Sequence, residues 1–226
     1  MKRCWIWKGA AVAGTFKDKG LVIRDFPAGE RDKRLTLLLF DRGRTTVFAK
    51  GAGNPKSKFH SCAQVFAFSE FLFFEGPGFL TISQCELTEN FFGVRRDFER
   101  LCLASHVLEM ADRMILPGMP CQNELRLIYM ALTKLAVSDI PPRLAAAIFE
   151  FKFLQMEGFL GSPKDLPDVS LSSAAAYAIS YILESDLKDI FLFTLSAGAT
   201  KELWSALDLF RREILDSPPK SLELLN

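Results

Sequence analysis

Arg34-Leu-Thr-Leu-Leu-Leu-Phe-Asp-Arg-Gly-Arg-Thr-Thr-Val-Phe-Ala49 is the stretch on which the reading of this chain turns. Leu35, Leu37 and Leu39 fall on one side and Arg34, Thr36 and Leu38 on the other, the period of two that a half-buried strand imposes. Asp41, Arg42, Gly43 and Arg44 then predict a compact hairpin with Gly43 free to take positive φ, and the β-branched run 45–49 predicts the returning strand. Working outward, the short apolar stretches 21–23, 27–34 and 35–40 precede the hairpin. Lys50-Gly-Ala-Gly-Asn-Pro-Lys-Ser-Lys58 follows it as a loop too rich in Gly and Pro for a regular element. Two more strands are expected at 65–74, dense in Phe, and at 79–85, after the turn signal Gly76-Pro-Gly78. About five short strands in this span have the size and rhythm of a small Greek-key barrel such as the OB-fold, a frequent binder of single-stranded nucleic acid.

Charge gives the barrel a use. Residues 1–60 hold 14 Lys or Arg against 5 Asp or Glu, a net +9, and the remainder nets −8, although the whole chain carries a formal +1. The positive charge sits in turns: Arg24, Arg31, Lys33 and Arg34 beside the first, Arg42 and Arg44 on the hairpin, Lys50, Lys56 and Lys58 on the Gly-rich loop. Such a domain attracts polyanions, and these nine side chains are the candidate phosphate contacts. Gly51 and Gly53 would let backbone N–H groups approach phosphate oxygens. Phe16, Phe26 and Phe59, lying among charges, are candidates to stack on bases, whereas Phe66, Phe68, Phe71, Phe73 and Phe74 are expected in the barrel core and against the next domain. His60 reads as an exposed polar side chain. The competing reading is a basic face that docks an acidic protein and leaves DNA alone.

Past Thr88 the period changes to that of helices, with Phe98, Leu101, Cys102, Ser105, Leu108 and Met114 recurring at three and four residues. A helix over 97–115 is expected, with Asp97 and Glu99 at its positive end and Pro117-Gly118 beyond it. Further helices are expected over 124–136 with Asn123 as N-cap, over 143–156 with Pro142 in the first turn and Gly158 at the end, over 173–183, and over 201–215 capped by Thr200. The fold class is therefore α+β, a small OB-fold-like β-barrel over 1–88 followed by an all-helical domain over 89–226.

No uncharged run reaches the roughly 18–20 residues of a membrane span, and Lys8 cuts short the apolar start at Trp5-Ile-Trp7, so neither a membrane segment nor a signal peptide is expected. Cys4, Cys62, Cys85, Cys102 and Cys121 are odd in number and widely spaced, the pattern of reduced thiols, mostly core. His106 and Glu109, one helical turn apart, are the only hint of an acid-base pair, and that spacing usually marks surface or satisfied core.

The order of motifs resembles the family of bacterial recombination mediators RecO. Gly20-Leu-Val-Ile-Arg24, Gly29-Glu-Arg-Asp-Lys-Arg-Leu-Thr-Leu-Leu38, Gly43-Arg44, Ala49-Lys-Gly-Ala52 and Pro55-Lys-Ser-Lys58 look like that family's N-terminal region. The stretch 64–74, Leu87-Thr-Glu89, Asp97-Phe-Glu-Arg-Leu101, Phe149-Glu-Phe-Lys-Phe-Leu-Gln-Met-Glu-Gly158 and Lys220-Ser-Leu222 continue it in register. The resemblance covers nearly everything from Gly20 onward and leaves the first fifteen residues without a counterpart. It implies an OB-fold joined to a helical domain, binding of single- and double-stranded DNA, and annealing of complementary strands. It further implies recognition of the acidic, Phe-ended tail of single-strand-binding protein, and work with RecR to load RecA during gap repair. No covalent chemistry is implied, hence no enzyme and no cofactor, and the location implied is the bacterial cytoplasm at the nucleoid. Many members carry a four-cysteine zinc module after the segment matching 149–158; residues 159–167 hold no cysteine, so no metal is expected. Receiving the partner tail needs an apolar pocket beside a cation, for which Arg143 and Lys152 are the candidates, while Trp204, Leu207 and Phe210 read as core.

Overall fold

The computed structural model describes residues 14–137, 140–167 and 170–225. The N-terminal extension, Cys4 included, lies outside the described residues but for Gly14 and Thr15. Five strands, β1 (Gly14–Ala28), β2 (Asp32–Leu39), β3 (Gly43–Ala49), β4 (Phe68–Gly76) and β5 (Phe79–Glu89), form a closed barrel in the order β1-β2-β3-β5-β4. Leu35, Leu37 and Leu39 point inward, as their alternation requires, to meet Val22, Val47, Phe71, Phe73 and Ile82. Gly43 takes φ of 60° in the hairpin, a conformation costly to any residue with a Cβ.

β1 is far longer than its apolar centre. Its first half pairs with β4, from Gly14 opposite Glu75 to Leu21 opposite Phe68, and its second half pairs with β2, from Gly20 opposite Leu39 to Ala28 opposite Asp32. One strand thus closes the barrel by bending across it, and a bulge between Val22 and Arg24 takes up the turn. At the bend a Cβ on Gly20 would stand 2.7 Å from the Leu38 carbonyl oxygen, so only glycine fits. β3 and β5 meet in parallel at Phe48 and Thr81.

Between β3 and β4 the chain runs through turns that bury Ala52, Phe59, Cys62 and Ala63 in the barrel core. Phe66, at φ of 74°, delays β4 to Phe68, three residues later than the Phe-rich run suggests. Cys62, Cys102 and Cys121 are buried and Cys85 is partly so. Spacing alone hides that Cys62 and Cys85 are neighbours: the Cys85 thiol hydrogen-bonds to Cys62, bringing Cys62 down to about 6 and pushing Cys85 up.

The chain divides into two units after Asn90. The second is helical: α1 (Phe98–Met114), α2 (Gln122–Ala136), α3 (Pro142–Met156), α4 (Ser173–Glu184), α5 (Ala197–Ile214) and α6 (Lys220–Glu223). Asp97 caps α1 by accepting the Glu99 N–H, and Pro142 opens α3. Two expected starts are displaced. α2 begins beyond Cys121, which leaves Asn123 inside the first turn rather than at the cap. α5 is capped by Ser196, and the Thr200 hydroxyl donates back to the Ser196 carbonyl as an ordinary helical residue. α3 is the central helix, packed against α1, α2, α4 and α5 with Leu144 to Leu154 almost wholly buried. In its middle Glu150, fully enclosed, accepts Arg211 Nη1 at 2.8 and 3.0 Å and lies 2.9 Å from His106 Nε2.

Candidate nucleic-acid interface

The nine cations named from the sequence do not form one patch. Two loops at one end of the barrel are tied together: the Gly53 N–H donates to the Arg31 carbonyl at 2.8 Å, and the Gly51 N–H donates to Asp32 Oδ1 at 2.7 Å. These bonds bring the exposed Arg31 beside the exposed Lys50, Lys56 and Lys58, with exposed Arg34 on the adjoining strand. They also overturn one expectation. The Gly51 and Gly53 amides are consumed in bracing the loops, which leaves side chains as the candidate phosphate contacts.

Lys33 leaves the set. Its ammonium is 2.5 Å from Asp25 and donates to the Ala63 carbonyl at 3.0 Å, so it fastens the β1–β2 hairpin to the turn segment. Arg42, at the opposite hairpin, has its guanidinium carbon 3.6 Å from the Phe16 ring centre and pairs with Glu75 at 3.2 Å, which leaves its charge largely compensated. Arg24 and Arg44 stand on β1 and β3, away from the braced loops. A groove of about 640 Å³ elsewhere on the barrel is lined by Asp18, Asp41, Glu70 and Glu86 against Lys17 and Lys19, a carboxylate excess that repels phosphate. Burial there pushes the Asp18 carboxyl up, though it accepts the Lys19 and Asp41 N–H groups.

The aromatic assignments also shift. Phe59 is buried and Phe16 packs on Phe73, so neither offers a face to a base. Phe26 is exposed beneath Arg34, whose guanidinium carbon is 5.5 Å from the ring centre. Phe71 and Phe73 are core, but Phe74 points outward with Phe48 and Phe79. His60 is half-buried with Nδ1 3.4 Å from the Ala52 carbonyl, part of the loop rather than an exposed group.

In the helical unit the two tail-binding candidates separate. Lys152 donates to the Leu183 and Ser185 carbonyls at 2.9 and 2.8 Å, capping the end of α4, which withdraws it from partner binding. Arg143 remains on the surface, 2.6 Å from Glu99, and edges a cavity of about 430 Å³ lined by Pro141, Pro142, Leu195, Lys201 and Trp204. Leu207 and Phe210 are core as expected; Trp204 is half-exposed, its indole N–H on the Arg143 carbonyl at 2.9 Å. Lys201 and Trp204 are the residues that sequence reasoning missed here.

His106 and Glu109 pair with different residues yet share Ser221, whose hydroxyl donates to Glu109 at 2.7 Å and lies 3.5 Å from His106 Nδ1. His106 is buried against Glu150, whereas Glu109 accepts the Lys220 and Ser221 N–H groups, the Ser221 hydroxyl and the Arg113 guanidinium. Burial raises the Glu109 carboxyl and these donors outweigh it, leaving it at about 2. Among the described residues no group of three or more His, Cys, Asp or Glu is placed to hold a metal, and no helix is long and apolar enough to cross a membrane.

Comparison with known proteins agrees with this division. The family described as recombination protein O N terminal matches residues 13–91, and the one described as recombination protein O C terminal matches residues 95–162. A protein of Acetivibrio thermocellus named DNA repair protein RecO is 27% identical over 239 aligned residues, spanning 92% of this chain and 95% of the relative. A second of that name from Desulforamulus reducens is 36% identical over 159 residues, spanning 70% of this chain and 60% of the relative. A third, from Desulforudis audaxviator, is 27% identical over 242 residues and spans 93% of this chain. With both domain families matched in order on an OB-like barrel and a helical unit, the chain belongs to the recombination protein O family, RecO.

Proposed function

We propose that this chain is a DNA-binding recombination mediator that holds single and double strands through the braced basic loops of its barrel and anneals complementary strands. Its role in DNA repair and recombination follows from family membership. The observation that carries the DNA-binding reading is the pair of hydrogen bonds, Gly53 to Arg31 and Gly51 to Asp32, that gathers Arg31, Lys50, Lys56 and Lys58 with Arg34 at one end of the barrel. Annealing demands that phosphate repulsion between two strands be screened while both stay loosely held, and a cluster of flexible lysines free of base-reading geometry meets that demand. Arg24 and Arg44 stand apart from this cluster, and Lys33 serves the fold.

The acidic, Phe-ended tail of single-strand-binding protein fits the cavity at Arg143, Lys201 and Trp204. The prolines, Leu195 and the indole supply apolar walls, and Arg143, Lys201 and the first turn of α5 at Ala197 supply positive potential for a carboxylate. An entering carboxylate would take the place of Glu99 on Arg143. Work with RecR and loading of RecA belong to the same proposal through the family.

Fluorescence anisotropy with labelled single- and double-stranded oligonucleotides across a salt series, followed by annealing of complementary strands with the same protein, tests the reading. Salt-sensitive binding with accelerated annealing supports it. Absence of binding at low salt refutes it and makes the basic face a docking surface for an acidic protein.

A further inference from the structure

The barrel carries an aromatic row that phosphate binding does not use. Following the strand register outward from the braced loops, Phe26 on β1 stands opposite Arg34 on β2, Arg34 opposite Phe48 on β3, Phe48 beside Thr81 on β5, and Thr81 opposite Phe74 on β4. Arg34, Phe48, Thr81 and Phe74 alternate with inward core positions and so face away from the barrel interior, and Phe26 is exposed opposite Arg34. Phe26, Phe48 and Phe74 are 41%, 39% and 39% exposed, large values for rings held on strands rather than on loop tips. Phe79, its ring centre 6.4 Å from that of Phe74, continues the row onto the β4–β5 hairpin.

Building on the DNA-binding reading above, we propose that this row is a base-stacking platform that makes the barrel prefer single strands over duplex. Charge complementarity argues for a nucleic acid as occupant. Lys50 follows Phe48 by two residues, Arg31 lies in the turn just past Phe26, and Arg34 sits within the row over the Phe26 ring, so phosphates bound to the loops deliver their bases to the rings. Geometry argues for a single strand. Phe26 and Phe48 lie on alternate strands, about 10 Å apart from a strand spacing of about 4.8 Å. Bases that reach both must be unstacked from each other, which a flexible single strand allows and the stacked interior of a duplex does not. Every base has a π-face, so the platform reads no sequence.

The test compares full-length wild type with Phe48→Leu, Phe74→Leu and the double variant, using a labelled oligothymidine and a duplex of equal length across a salt series. Each ring lost should weaken single-strand binding about five- to hundredfold while duplex affinity stays within about twofold. The salt slope should stay unchanged, because no phosphate contact is removed. Phe48→Trp should restore single-strand binding. An oligonucleotide carrying 2-aminopurine reports stacking directly: its fluorescence should be quenched by wild type and by Phe48→Trp, and not by the double variant. Variants that melt like wild type yet retain its single-strand preference and quenching overturn the proposal and leave the row as an apolar face for a protein. An equal loss for single strand and duplex overturns it as well. Wild type that binds no oligonucleotide defeats the DNA-binding reading itself, a result distinct from either.

Discussion

Replacing Arg31, Lys50, Lys56 and Lys58 together by Ala removes the exposed cations of the braced loops and leaves in place the two hydrogen bonds that hold those loops, one to the Arg31 carbonyl and one to the Asp32 carboxylate. If each cation neutralises one phosphate, the slope of log affinity against log salt on single strands should fall by about 3, at ~0.7 per phosphate. Between 50 and 200 mM salt, wild type should then lose affinity by about fiftyfold more than the variant does. Anisotropy titrations at four or five salt concentrations give both slopes, and a thermal melt checks the fold. Lys33→Ala is the control. It removes a cation of the same segment, but one already committed to Asp25 and the Ala63 carbonyl, so the slope should stay put while stability drops by about 1–2 kcal/mol. A quadruple variant that melts normally with a slope lowered by less than one would refute the placement of the phosphates on these loops. A Lys33→Ala slope lowered as much as a quarter of the predicted fall would show that the ion pair opens to DNA.

Arg211→Leu should cost about 3–5 kcal/mol in urea unfolding, because the enclosed Glu150 would lose its guanidinium partner and keep the His106 contact; a loss below about 1 kcal/mol would mean that the site relaxes or admits water. The low Glu109 carboxyl gives stability that is complete above the unfolded value near ~4.3 and is lost as pH falls toward about 2. Melting temperature should therefore fall over that interval in wild type, and Glu109→Gln should start lower and show less of this fall. Arg143→Ala should weaken binding of an acidic Phe-ended peptide about tenfold in a calorimetric titration, whereas Lys152→Met should leave it unaltered and destabilise the protein by about 1–2 kcal/mol through the lost carbonyl contacts.

The hairpin 34–49 was legible because its period, turn and β-branching agree, and the inward leucines confirm that they do. β1 was under-read for a physical reason. Lys17 and Lys19 face out and Asp18 faces in, its burial offset by two backbone N–H donors, so half the strand lacks any apolar alternation. The run Phe71 to Phe74 leaves open which rings point inward, and bulges in the β4–β5 ladder show why counting along it is unsafe. Likewise a lysine that caps carbonyls reads the same as one awaiting a phosphate: Lys33 and Lys152 find their partners 8 or more residues away, set by tertiary packing. The first turn of α5 is silent in the sequence because Ala197-Gly-Ala-Thr200 carries no amphipathic signal, and Ser196 is recognisable as a cap only once the turn forms.

The clasp on α6 has a bearing on how the protein is made. Glu109 and Arg113 of α1 hold Ser217, Pro218, Lys220 and Ser221, partners more than 100 residues downstream. The barrel's ladders, by contrast, are complete once Glu89 has been added. On a ribosome the first unit can therefore close while the second is still emerging, whereas the Glu109–Arg113 pair of α1 must wait for its downstream partners until residues 217–221 arrive. This order of contacts predicts vectorial assembly, in which a ribosome stalled between the two events would display a finished barrel tethered to an unfinished helical bundle.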